Sequence, residues 1–166
     1  MNYCKIDKCS IADGVGNRVV LWVSGCSLHC KGCHNPQSWD FNVGKLFDNK
    51  AKNELFKALN KPYIQGITFS GGHPLEDKNI NEVISLMKET KQKFPNKDIW
   101  LYTGYLWEEL YYKNIARVLL YIDVLVDGRF IEQKRNTTLP YRGSSNQRVI
   151  DVQQSLQKGK VILYCD

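Results

Sequence analysis

Four times along this chain a short run of β-branched and aromatic residues stops at a polar residue and a glycine. Residues 18–24 (RVVLWVS) run into Gly25, residues 66–70 into Gly71 and Gly72, residues 98–103 into Gly104, and residues 123–127 into Gly128. Runs of this composition bounded by glycine read as buried strands. Between them lie segments of helical apolar spacing. Asp48 or Asn49 can cap a helix over about 50–60 that puts Ala51, Leu55, Ala58 and Leu59 on one face. Ile80, Val83, Ile84 and Met87 repeat at helical spacing until Pro95 stops them. Residues 106–120 are helical with a break near Lys113. A polar loop over 128–145 precedes further strands at 147–151 and 160–164. Alternating strand and helix predicts an α/β protein with a parallel sheet and helices packed outside. The units are too few for a closed eight-stranded barrel, so the expected architecture is an open, partial (β/α) barrel. With no internal repeat, low-complexity tract or linker, residues 1–166 are expected to form one domain. The four glycine turns then share the carboxyl edge, where α/β sheets place their ligands.

Composition excludes several classes. The 166 residues are 43% hydrophobic and 24% charged, ordinary globular usage that rules out disorder, a collagen-like repeat and a coiled coil. No apolar run exceeds five residues, as at 118–122, stopped by Asp123, so no segment spans a bilayer. Residues 1–8 lack a basic region leading into an apolar stretch, and a cytoplasmic location is expected. Twenty-three Lys and Arg against 17 Asp and Glu give +6. These charges are scattered from Lys5 to Lys160, the pattern of a solvated surface, and no direct nucleic-acid or membrane role is expected.

Cysteine is more informative. Cys4, Cys9, Cys26, Cys30, Cys33 and Cys165 are the six present. A reducing cytosol disfavours a disulfide framework, and a chain of this length does not need one. Three of the six fall within eight residues, which points to a metal or redox site. Four readings compete for the loop Gly25-Cys26-Ser-Leu-His-Cys30-Lys-Gly32-Cys33-His34-Asn35. Cys30-Lys-Gly-Cys33-His34 matches c-type haem attachment, which needs export and leaves Cys26 without a role. Cys30 and Cys33 could form a thioredoxin-like pair, again ignoring Cys26. Three thiolates and a histidine could hold zinc, although structural zinc usually draws on two separated ligand pairs. A four-iron cluster normally takes four thiolates. Here one loop wraps three corners and leaves the fourth iron free of protein, the kind of open position at which metals do chemistry. Cys4, Cys9 and Cys165 are read as free and partly buried.

Cys-x3-Cys-x2-Cys after a first strand resembles the signature of the radical S-adenosylmethionine (SAM) enzymes. Within them the chain is similar, over nearly its whole length, to the activases of anaerobic ribonucleoside-triphosphate reductase. The resemblance rests on Asp13-Gly-Val-Gly-Asn-Arg18, Ser24-Gly-Cys26, Cys33-His-Asn35, Trp39 and Ser70-Gly-Gly-His-Pro74. It continues through Lys97-Asp-Ile-Trp100, Tyr102-Thr-Gly-Tyr105, Val126-Asp-Gly128 and Arg142-Gly-Ser-Ser-Asn-Gln147. It implies a [4Fe-4S] cluster on Cys26, Cys30 and Cys33 whose fourth iron is chelated by the amino and carboxylate groups of SAM. One-electron cleavage of SAM then gives methionine and a 5′-deoxyadenosyl radical, which takes a hydrogen atom from a glycine of the large reductase subunit. A one-electron donor such as reduced flavodoxin is implied as a second partner. The cofactor-binding candidates that follow are Gly32, Cys33, His34, Ser70, Gly71, Gly72, Thr103, Asp127, Arg129 and Asn146. His34 is expected near the adenine, the glycine pair near the SAM ammonium, Arg129 at the SAM carboxylate, and Asp127 as a nearby polar anchor. On this reading Gly72→Val impairs SAM binding and spares the cluster.

Two residues depart from that pattern. His73 stands where the superfamily usually has an acidic residue, and Gly14-Val15-Gly16 replaces an early Gly-Pro-Gly. Neither touches a cluster ligand. Other functions remain open on the residues alone: activation of another glycyl-radical enzyme such as pyruvate formate-lyase, a deazapurine-type enzyme acting on a small molecule, or a zinc-binding interaction module.

Overall fold

The computed structural model describes residues 1–165. Its centre is four parallel strands: β2 (Arg18–Val23), β4 (Gly66–Gly71), β5 (Asp98–Tyr102) and β6 (Val124–Asp127). These are the four strand–glycine runs of the sequence. The sheet is extended on both sides into eight strands ordered β3-β1-β2-β4-β5-β6-β7-β8. β1 (Asn2–Ser10), β3 (Lys45–Leu46), β7 (Arg148–Asp151) and β8 (Leu163–Cys165) complete it.

The all-parallel sheet expected from the sequence is therefore corrected to a mixed one, because β1, β3, β7 and β8 all pair antiparallel. Chain connectivity explains the outer pairs. A parallel neighbour needs a crossover of about a dozen or more residues, usually with a helix. Residues 11–17 are too short a link between β1 and β2, and residues 128–147 carry no α-helix to cross from β6 to β7. The sheet is open, with β3 and β8 at its edges.

One face of the sheet is covered by helices. Helix α1 (Asn49–Leu59) starts where the Asp48 carboxylate accepts the Ala51 N–H at 2.9 Å. It buries Ala51, Leu55, Phe56, Ala58 and Leu59. Helix α2 (Ile80–Lys93) buries Ile80, Val83, Ile84, Leu86, Met87 and Thr90. The expected helix over 106–120 divides into α3 (Trp107–Tyr112) and a 3-10 turn (Ala116–Leu120), with Asn114 at φ 54° between them. A short helix the sequence did not announce, α4 (Val152–Lys158), is capped by Asp151 and ended by Gly159. The main core lies under these helices. It takes one alternating set of strand residues: Val19, Leu21 and Val23, Ile67 and Phe69, Ile99 and Leu101, and Leu125. Among the described residues no helix is long and apolar enough to cross a membrane.

The opposite alternation faces away from the helices. There Trp100, Val124, Val126 and Val149 form a small second core. Beside it, fully buried Arg18 closes the amino end of the sheet. Its guanidinium pairs with Asp98 and donates to Thr68 Oγ1 at 2.8 Å, the Ile67 carbonyl at 3.0 Å and the Val15 carbonyl at 3.0 Å. It also lies 5.3 Å from the Trp100 ring centre. A buried cation is tolerated only when its hydrogens are so engaged, and removing one partner strands the rest. Arg18→Leu is expected to destabilise the chain by about 3 kcal/mol, read as a lower urea midpoint with unchanged m-value.

Candidate functional site

The carboxyl ends of β2, β4, β5 and β6 surround a cavity of about 540 Å³, a size ordinary for a small-molecule site. Cys26, Cys30, Cys33 and His34 line one side, Ser70, Gly71, Gly72 and His73 a second, and Thr103, Gly104 and Gly128 a third. Trp22 and Tyr102 lie along the strands beneath, with Trp22 paired in register with Ser70.

The cysteine loop is shaped by its backbone. Gly25 turns at φ 94°, with the Phe41 ring where a side chain would stand. Its N–H donates to the Ser38 carbonyl at 2.8 Å, and the Cys26 N–H donates to the Trp39 carbonyl at 3.0 Å. The chain thus leaves β2, loops through all three cysteines and returns by a 3-10 turn (Pro36–Ser38) beside its starting point. The Cys33 N–H closes a turn on the Cys30 carbonyl at 3.0 Å. Burial pushes the Cys26 thiol up, while the backbone N–H groups of Leu28 and His29 oppose that by favouring its thiolate. Cys30 is likewise raised by burial and eased down by the Phe130 N–H. The Asn35 N–H points at Cys33 Sγ from 3.4 Å.

The donor set fits an iron–sulfur cluster: three thiols on one loop, facing a common cavity, each with an amide N–H directed toward its sulfur. Among the described residues no three His, Cys, Asp or Glu side chains converge as ligands of a single metal ion.

Ser27, next to Cys26, is tied down by a carboxylate from the following strand–helix connection. Glu76 Oε1 accepts the Ser27 N–H at 2.9 Å and the Ser27 hydroxyl at 2.8 Å, and lies 3.1 Å from His73 Nδ1. Burial raises the Glu76 carboxyl, but these hydrogen bonds outweigh it and hold it at about 2. Tyr102 is pushed strongly upward by burial and by the charge of Asp13, so it remains a neutral phenol.

Of the sequence-predicted residues, the structure brings Cys26, Cys30, Cys33, His34, Ser70, Gly71, Gly72 and Thr103 to the cavity. Four others lie elsewhere. Gly32 sits exposed at the turn between Cys30 and Cys33, at φ 74° and against Glu132. Asp127 is fully buried. Its carboxylate takes the Trp107 N–H at 2.7 Å and both Arg148 Nε and Nη2. Asp127 thus anchors the start of α3 and holds Arg148, outside the lining of the cavity. Arg129 is half exposed and reaches toward Glu109 at 3.8 Å. Asn146 donates its amide to the Arg129 carbonyl at 2.8 Å and so holds the loop after β6.

The residues missed from sequence are Glu76, Trp22, Tyr102 and Gln147. Period-two alternation in β2 and β5 would have placed Trp22 and Tyr102 opposite the helices. Gln147 carries no such signal. Its carbonyl takes the Gly143 and Ser144 N–H groups, and its amide donates to the Gly128 carbonyl.

Comparison with known proteins defines the class. Residues 12–150 match the 4Fe-4S single cluster domain family, which makes this an iron–sulfur protein by descent as well as by its donor set. The chain is 44% identical to the anaerobic ribonucleoside-triphosphate reductase-activating protein of Enterobacteria phage T4, covering 90% of this chain and 93% of that one. It is 42% identical to the protein of that name from Haemophilus influenzae, over 89% and 96% of the two chains. With the Escherichia coli protein the figures are 40%, 90% and 97%. The chain belongs to the family of anaerobic ribonucleoside-triphosphate reductase-activating proteins.

Two outcomes follow from the packing. A Cβ on Gly72 would fall 2.5 Å from the Gly25 carbonyl oxygen and 2.8 Å from that of Ser38. The expectation that Gly72→Val spares the cluster is therefore corrected, because even Gly72→Ala pushes on the turn that leads into Cys26. Reconstituted Gly72→Ala is expected to hold less iron than wild type by colorimetric assay. Glu76, with its carboxyl depressed to about 2 from the ordinary 4.5, stabilises the fold fully above about pH 4.5 and loses that contribution as pH falls toward 2. The stability gap between wild type and Glu76→Gln, from urea unfolding of the cluster-free chain, is expected to be about 3 kcal/mol at pH 7 and to shrink between pH 4.5 and 3.

Proposed function

We propose that this chain is an iron–sulfur activase of anaerobic ribonucleoside-triphosphate reductase that works by radical SAM chemistry. The observation that carries the reading is one cavity walled by three loop thiols and a glycine pair at the carboxyl edge of a parallel sheet. The family membership and the names of the relatives at 40–44% identity support the reductase as the target. On this reading residues 1–166 act as one domain, and the uncovered face of its open sheet is the inside of a partial (β/α) barrel.

Cys26, Cys30 and Cys33 would hold a [4Fe-4S] cluster, and the cavity beside them would hold SAM. When bound, the two supply one-electron chemistry that ends in removal of a hydrogen atom from a glycine of the reductase. The chain's own residues prepare for it. The N–H groups of Leu28, His29, Phe130 and Asn35 favour the thiolate form that binds iron. Gly71 and Gly72 present backbone carbonyls with no side chain in front of them. His34, edge-on to Phe130 at 5.4 Å between ring centres, forms an aromatic wall suited to an adenine. The site lies at a sheet edge and is not enclosed by further strands, so a backbone segment of a large partner can approach it. A one-electron donor such as reduced flavodoxin completes the set of partners.

Replacing each cysteine by alanine and counting iron after anaerobic reconstitution tests the ligand set. Cys26→Ala, Cys30→Ala and Cys33→Ala are each expected to lose most of the iron, and Cys4→Ala, Cys9→Ala and Cys165→Ala to keep it. Mixing the reduced, SAM-loaded chain with the anaerobic reductase is expected to give a glycyl-radical doublet by electron paramagnetic resonance. SAM cleavage that produces no doublet and instead modifies a small nucleotide-like molecule would overturn the assignment of substrate.

A further inference from the structure

His73 is 1% exposed, yet both of its ring nitrogens are engaged. Nδ1 lies 3.1 Å from Glu76 Oε1, and Nε2 lies 2.8 Å from Thr103 Oγ1. The Tyr105 ring closes over it edge-on, with 4.4 Å between centres. The directions of these bonds follow from what each group can do. The Glu76 carboxylate only accepts, and it already takes two hydrogens from Ser27. A neutral imidazole carries a single ring hydrogen. In the neutral ring, facing a carboxylate on one side and a hydroxyl on the other, that hydrogen belongs on Nδ1, an assignment made by the hydrogen-bond network. Nε2 is then an acceptor, and the Thr103 hydroxyl must donate to it. Thr103 Oγ1 also accepts the Tyr105 N–H at 3.1 Å. Its one hydrogen and one of its two lone pairs are thereby committed, while the residue lines the cavity.

We infer that His73 is a positioning residue that makes Thr103 a one-way hydrogen-bond acceptor for an N–H or O–H donor on the bound cofactor. The chemistry selected is that of an ammonium or a ribose hydroxyl, not of a carboxylate. The same chain of bonds runs through Glu76 to Ser27, so the cluster loop and the end of β5 are held by one buried side chain. This inference rests on the proposal that the cavity binds SAM.

The test is equilibrium binding to the anaerobically reconstituted chain, with two probes. S-adenosylhomocysteine carries both the ammonium and the ribose, and 5′-methylthioadenosine carries the ribose alone. Thr103→Val keeps the side-chain volume and removes the acceptor, and Thr103→Ser keeps the acceptor. His73→Asn retains an amide that can reach Glu76 and loses the group at Nε2. Thr103→Val and His73→Asn are each expected to weaken S-adenosylhomocysteine by roughly tenfold. The double variant is expected to be no weaker than either, and Thr103→Ser to stay near wild type. Weakening of both probes by Thr103→Val assigns the donor to the ribose, and weakening of the first alone assigns it to the ammonium. Wild-type affinity in Thr103→Val overturns the inference and leaves the SAM reading standing. A wild-type chain that binds neither probe overturns the SAM reading itself and this inference with it. Nitrogen-15 spectra of the histidine-labelled, oxidised chain read the ring without any ligand. The Nδ1–H tautomer at His73 is expected, and either the Nε2–H tautomer or a doubly protonated ring would overturn the inference.

Discussion

Gly25 and Gly72 meet backbone to backbone, and the position of the whole cysteine loop depends on that meeting. The His73 N–H donates to the Gly25 carbonyl at 2.8 Å, and the Gly72 N–H donates to the Val23 carbonyl at the same distance. Asn79, from the start of α2, donates its side-chain amide to the carbonyls of Ser24 and His73. No Cβ can enter between the two turns. Cys26, the first cysteine of the loop, is therefore placed by Gly72, His73 and Asn79 as well as by the returning end of its own loop at Ser38 and Trp39. A loop pinned in this way presents its sulfurs without ordering them at the moment of binding, so less affinity is spent on conformational entropy.

The sheet divides its labour between faces. Burial of one alternating set of strand residues under α1, α2 and α3 supplies the large core. On the other face, among the described residues, Trp100, Val124, Val126 and Val149 form a smaller apolar cluster, with Tyr102, Tyr141 and Cys165 packed against it. That smaller core leaves room for the cavity, and polar residues close what apolar packing does not. Arg18 performs this at the amino end, and the Asp127–Arg148 pair performs it beside the carboxyl edge. Arg18 and Asp127 are buried charges whose hydrogen bonds are made, the condition under which such charges persist.

Sequence patterns that are local and periodic were legible. The four parallel strands, the two longer helices with their buried faces, the break near Lys113 and the shared carboxyl edge all follow from runs of neighbouring residues. The cysteine triad and the glycine pair lie within single turns and were equally readable. Elements set by long-range pairing were not. β1 is a half-exposed strand with irregular alternation, and α4 has only seven residues. Glu76 finds its partner Ser27 across 49 positions, a separation at which one sequence carries no signal. Asp127 was ambiguous for a related reason. A carboxylate at a ligand edge is as well suited to hold Arg148 as to hold a cofactor, and only the fold tells which partner it faces.

The proposed radical SAM chemistry requires that Cys26, Cys30 and Cys33 leave one iron of the cluster open to SAM at the cavity. Electron paramagnetic resonance of the reconstituted chain, reduced and measured with and without SAM, tests it most directly. A signal from a reduced four-iron cluster whose g-values and line shape change when SAM is added is the predicted result. A cluster signal that SAM leaves unchanged, or a chain that takes up zinc and forms no cluster, would contradict it.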